Sequence, residues 1–151
     1  MKLLYLYFII LSNLFTFSFY ATHNDYFPQN IHKFLLTVVI MVKNEVDVII
    51  PTLQPFIDAG ITSFLVYDTG STDGTQNKIK NHFQEHCLNH TYIIEEPFVD
   101  FSTSRNRALE LAEHIFVNNT FLLMLDAEWY IHNVDELLQF CLRNKNYIPK
   151  N

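Results

Sequence analysis

From Phe34 onward, short apolar stretches alternate with longer segments whose apolar residues recur every three or four positions. Leu35–Met41 is a continuous apolar, β-branched run, the pattern of a strand buried on both faces. Glu45–Ala59 has helical spacing, with Pro51 marking a kink or a helix start and Gly60 supplying a stop. Ser63–Tyr67, Thr91–Glu95 and Phe121–Leu125 read as further strands. Thr72–Glu85, Ser102–Phe116 and Val134–Leu142 read as helices. Their expected inward positions include Ile79 and Phe83 in the first, and Ala108, Leu109, Leu111, Ala112 and Ile115 in the second.

Strands alternating with helices predict βαβ units. The fold class is therefore α/β: a three-layer α/β/α sandwich around a mostly parallel sheet, Rossmann-like in plan. Right-handed crossovers bring every strand's carboxyl end to one edge. Four segments fall there: Lys43-Asn44-Glu45, Asp68-Thr69-Gly70, Pro97–Asp100 and Asp126-Ala127-Glu128. No internal repeat or low-complexity tract interrupts the pattern.

The N-terminus is patterned differently. After Lys2, residues Leu3–Thr22 carry no charge and are mostly Leu, Ile, Phe and Tyr. That stretch is long enough to span a bilayer and also resembles a secretory leader. Residues 1–22 are expected to be a signal peptide or signal-anchor, giving a membrane-anchored or exported protein. Residues 23–33, polar and with Pro28, read as a linker, and residues 34–151 as one domain.

Composition narrows the partners. The 151-residue chain has a formal net charge of −6, and its ten Lys and Arg are scattered. A nucleic-acid footprint is therefore not expected. Of only three glycines, Gly70 and Gly74 share one loop, which points to a backbone role. The two cysteines, Cys87 and Cys141, show no metal-ligand spacing and read as buried or half-buried helix thiols, with pairing left open.

The chemistry concentrates in Phe64–Thr75, FLVYDTGSTDGT. DTGS is also the signature of an aspartic protease. Such proteases are all-β and need a second glycine-bearing apolar segment, whereas here helical patterns flank the motif and no glycine follows Gly74. In the α/β setting, Asp68 ends a strand and can accept hydrogen bonds from a base or ribose. Ser71, Thr72 or Asp73 can cap the following helix. Asp126 and Glu128, emerging from a buried strand, can converge on a hard divalent cation that bridges to diphosphate oxygens, although D-x-E alone is equally a solvated loop.

Taken in order and spacing, VKNE (Val42–Glu45), DTGSTDGT (Asp68–Thr75), DFSTSRNRAL (Asp100–Leu109) and LDAEW (Leu125–Trp129) resemble the nucleotide-binding half of a family 2 glycosyltransferase of GT-A fold. The resemblance covers roughly Leu35 to Asn144. It implies a nucleotide-diphosphate sugar donor, a divalent cation (Mn or Mg), and transfer, usually with inversion, to a glycan, lipid or protein acceptor. By that resemblance Lys43, Asn44 and Glu45 lie near the nucleotide, Asp68 contacts base or ribose, and Arg105 holds the donor. Asp126 and Glu128 occupy the metal positions; the family's stretch usually reads LDADE and here reads LDAEW, so either Glu128 replaces the second Asp or one residue is missing. The family's acceptor site and general base lie well beyond that motif. Asp135 and Glu136 read here as helix-start acids and His132 as a loop residue, so no catalytic residue is assigned. The expectation is a truncated glycosyltransferase-like protein. The alternatives are a catalytically inactive nucleotide-sugar-binding remnant and one half of a split enzyme.

Overall fold

In the computed structural model, which describes residues 34–146, strands and helices alternate without exception. They are β1 (Leu36–Val42), α1 (Ile49–Asp58), β2 (Ser63–Asp68), α2 (Thr75–Glu85), β3 (His90–Glu95), α3 (Phe101–Ile115), β4 (Phe121–Asp126) and α4 (Val134–Asn144). The expected leader and linker, residues 1–22 and 23–33, lie outside the described residues. Among the described residues no helix is long and apolar enough to cross a membrane.

The sheet has four strands in the order β3-β2-β1-β4, and every pairing is parallel. Its two faces carry separate cores. On one face Val38, Ile40, Phe64, Val66, Leu123 and Leu125 meet apolar residues of α1, α2 and α4. On the other, Val39, Leu65 and Tyr67 meet Ala108, Leu109, Ala112 and Phe116, from α3 and its C-cap. This is the expected α/β/α sandwich, with a wholly parallel sheet.

Several boundaries differ from the pattern-based expectation for local reasons. α1 begins at Ile49, four residues after the expected Glu45, because Lys43–Val46 form a loop tied to the β2–α2 turn. Pro51 then sits in the first turn, where its missing N–H leaves no bond unmade. α1 ends in a Schellman motif: the amide of Ile61 donates to Phe56 and that of Gly60 to Ile57. α2 starts at Thr75, not Thr72. Its N-cap is Gly74 rather than Ser71, Thr72 or Asp73, and Gly70 and Gly74 take φ of 104° and 95°, a region where a Cβ is strained. α3 starts one residue early because Asp100 caps it, accepting from the Thr103 amide at 2.7 Å. Cys141 is buried in α4, but Cys87 is exposed beyond the end of α2, and both are free thiols.

Candidate functional site at the carboxyl edge of the sheet

Parallel register gathers the expected site residues on one edge. Asp68, the last residue of β2, pairs with Val42 of β1 and Glu95 of β3. Asp126, the last residue of β4, pairs with Met41 of β1. Lys43, Asn44 and Glu45 follow β1 directly, and Ala127 and Glu128 follow β4. The two carboxylates do not face one another, however. Successive strand residues point to opposite faces, so the one-residue offset between Val42 and Met41 sends Asp68 to the α1/α2 side. Asp126 goes to the α3 side. Asp68 and Asp126 therefore share the expected edge and not a face.

Asp68 is fully buried, at 0% exposure. Its Oδ1 accepts the backbone amides of Gly70 and Ser71 at 2.9 and 2.8 Å, closing the turn. Its Oδ2 is buried with no hydrogen-bond partner. A buried carboxylate oxygen left unpaired is costly and uncommon in native structures.

The helix-capping candidates instead fasten two loops together. Ser71 Oγ accepts the Asn44 amide, and Asn44 Oδ1 accepts the Thr72 amide in return. Thr75 Oγ1 accepts from Glu45, and Asp73 accepts from Val46 and Thr75. The Thr75 hydroxyl, donating at 2.6 Å, is the main cause holding the Asp73 carboxyl below its usual range. Lys43 and Asn44 are exposed, and Asn44 takes φ of 57°. Asn44 thus lies at the edge as expected, with its side-chain carbonyl engaged in the loop. Glu45 is half-buried. Burial raises its pKa first, and the charges of Glu128 and Asp73 add to this. Glu45, Asp73 and Glu128 thus gather at this corner, with the Lys78 ammonium donating to the Val46 carbonyl beside them.

On the α3 face, the inward stripe starts with buried Ser104 and continues through Ala108, Leu109 and Ala112, and half-buried Arg105 lies beside it, one turn before Ala108 and Leu109. That stripe faces the sheet, so the guanidinium reaches the end of β4. Its Nη2 donates to both oxygens of Asp126, at 2.6 Å to Oδ1, while its Nε is buried without a partner. The Phe101 ring lies 5.9 Å from the guanidinium carbon. Thr52 Oγ1 donates to the Ala127 carbonyl, and the Trp129 amide donates to Asp126 O at 3.1 Å, so the turn bearing Glu128 is pinned to α1.

A second ion pair on the same face was not anticipated. Arg107 donates to Glu96 at 3.0 to 3.2 Å, and the Tyr67 hydroxyl donates to Glu96 at 3.1 Å. The bond from Arg107 is the main cause lowering the Glu96 pKa. Burial, and then the bond to Glu96, raises that of Tyr67. The only sequence signal was Glu95-Glu96 at a strand end opposite Arg105-Asn106-Arg107 on a helix.

The donor set at β4 suits a hard divalent cation in chemistry, since Asp126 and Glu128 offer carboxylate oxygens, with the Glu45 carboxyl close to Glu128. Asp126 can chelate such an ion with both oxygens only after the guanidinium nitrogen leaves the position between them. Among the described residues no group of three or more His, Cys, Asp and Glu is drawn together in a metal-ligating arrangement.

No protein-family profile matches the chain, and no curated protein does. Among solved structures, the chain is similar to the mannosyltransferase PcManGT from Pyrobaculum calidifontis in complex with GDP-Man and Mn2+. The TM-score is 0.58 and the identity 21%, over 70% of this chain and 31% of that one. The likeness thus spans about a third of the mannosyltransferase. The chain has a glycosyltransferase-like α/β fold, and the described residues form an all-parallel half-domain of it.

Proposed function

We propose that this half-domain is the donor-binding half of a family 2-like glycosyltransferase. It holds a nucleotide-diphosphate sugar across the carboxyl edge of the sheet, with a divalent cation, for transfer to an acceptor hydroxyl. The observation that carries this reading is Asp68, wholly buried at a parallel strand's carboxyl end with Oδ2 unpartnered. Ligands of open α/β sheets bind outside the carboxyl ends of the strands, and an N–H or hydroxyl donor from a base or ribose would satisfy that oxygen. The neighbour of similar fold carries GDP-Man and Mn2+.

In this arrangement the locked loops of Lys43–Val46 and Gly70–Thr75 form a rigid wall, so little ordering entropy is spent on binding. Arg105 supplies a permanent positive charge for a diphosphate. Asp126 and Glu128 would hold the cation, which when bound neutralises charge on the departing diphosphate. Sugar transfer also needs a base for the acceptor hydroxyl, and no residue is assigned to that role.

The test is calorimetric titration of the full chain with GDP and UDP, each with and without Mn2+. Saturable binding of either nucleotide supports the reading, and no binding to either up to millimolar concentration refutes it. Release of free sugar from a bound nucleotide-sugar supports an enzyme. Binding without release, even with acceptors supplied, supports a donor-binding role without transfer.

A further inference from the structure

The pairing of Arg105 with Asp126 is incomplete as an ion pair. A single nitrogen, Nη2, serves both carboxylate oxygens, in place of the two parallel bonds that a guanidinium and a carboxylate can form. The Nε donor is buried and unsatisfied. Both side chains stay about a third exposed, at 31% and 30%, so solvent and ions reach the pair. Asp126 is also the better placed of the two expected cation ligands, because it ends a buried strand, whereas Glu128 is exposed on the turn. Nη2 stands between the two oxygens, in the position that a cation chelated by both would take, so the two compete for it.

We propose that Arg105 and a divalent cation are alternative counter-ions of Asp126. The guanidinium holds the carboxylate until the cation takes it, and the released guanidinium then grips the donor's diphosphate. This rests on the donor-site reading above and adds a coupling to it. No bond is made or broken covalently. One positive group leaves Asp126, a doubly charged one replaces it, and the anionic diphosphate compensates both. Cation and diphosphate therefore bind with positive linkage, and by reciprocity each raises the other's affinity by the same factor. The Phe101 ring gives the freed guanidinium an aromatic surface to slide along.

The experiment is a Mn2+ titration of the full chain, read by the paramagnetic resonance of free Mn2+, with and without saturating GDP, for wild type, Arg105→Gln, Arg105→Lys and Asp126→Asn. Without nucleotide, Arg105→Gln is expected to bind Mn2+ about 5- to 10-fold more tightly, at the low end of measured site-to-site couplings. The factor by which GDP raises Mn2+ affinity is expected to shrink by a similar amount. Arg105→Lys, which preserves the charge and serves if the Gln variant fails to fold, should move both quantities in the same direction by less. Asp126→Asn should lose Mn2+ binding. Unchanged or weaker Mn2+ binding in Arg105→Gln overturns the inference, as does an unchanged effect of GDP, the result expected of through-space repulsion alone. Those outcomes leave the donor-site reading standing. No Mn2+ binding by wild type with GDP bound normally overturns both the inference and the metal part of that reading.

Discussion

Asp68 can be divided into two roles by two substitutions. Its Oδ1 closes a turn by accepting two backbone amides, and its Oδ2 faces no partner. Asp68→Ala removes both oxygens and strands the amides of Gly70 and Ser71. Each partly buried donor left unsatisfied costs about 1 to 3 kcal/mol, so a loss of about 2 to 4 kcal/mol is expected once water reaches part of the turn. In a domain of this size that lowers the melting temperature by about 10 to 20 °C. Asp68→Asn differs. The two amides can donate only to oxygen, so they fix the side-chain amide with its carbonyl at the Oδ1 position and its NH2 at the Oδ2 position. The bonds weaken from charge-assisted to neutral, but a buried charge is also removed. The net change is expected to stay within about 1 kcal/mol. Polarity at the Oδ2 position is reversed, so a ligand donor there meets a donor. GDP or UDP affinity should fall about 10- to 100-fold, the worth of one hydrogen bond to a charged group. Thermal melts by circular dichroism and calorimetric titration read the two effects separately. An Asn variant as unstable as the Ala variant refutes the assignment of the turn to Oδ1 geometry. An Asn variant that melts like wild type and binds nucleotide like wild type refutes the assignment of ligand recognition to Oδ2.

Two further outcomes rest on particular groups. The Arg107 bond holds Glu96 below its ordinary value of 4.5, so the stability it contributes is present above that pH and lost as pH falls through the lowered value. Arg107→Ala should therefore melt a few degrees lower than wild type near neutral pH, with the gap closing as pH falls below 4.5. A gap that persists or widens in acid is evidence that the arginine acts by packing. Burial pushes the Cys141 thiol up to about 11, while Cys87 is exposed. At pH 8 a thiol reagent should modify Cys87 rapidly and Cys141 at least ~100-fold more slowly until the chain unfolds, because the thiolate is the reacting species. Two equally fast thiols per chain would contradict the packing of α4 on the sheet.

The alternation of apolar runs with helical spacing was legible because both signals are local. A buried strand needs a continuous run such as Leu36–Val42, and an amphipathic helix needs a stripe such as Ala108, Leu109 and Ala112. The same locality placed Asp68 and Asp126 at strand ends and gave Gly70 and Gly74 a backbone task, borne out by their positive φ. Where local rules competed, they misled. Ser71 and Asp73 have the chemistry of helix caps, yet Ser71 spends it on Asn44, 27 residues away in sequence, and Asp73 divides it between Val46 and Thr75 at the start of α2. Asp100, three residues before Thr103, caps α3 as an Asp at that spacing can.

By itself, then, the sequence determined the fold class, the order of the elements and the edge on which carboxylates collect. Side-chain periodicity and right-handed connection are properties of the chain over a few residues or one crossover. Only the tertiary structure decided which strands are neighbours and in what register. A one-residue offset between Asp68 opposite Val42 and Asp126 opposite Met41 puts the two carboxylates on opposite faces, beneath different helices. It also decided that the Arg105 side chain meets Asp126, 21 residues further along the chain, because α3 must turn its small residues toward the sheet to bury them. Packing of distant segments fixed that meeting, and no local pattern encodes it.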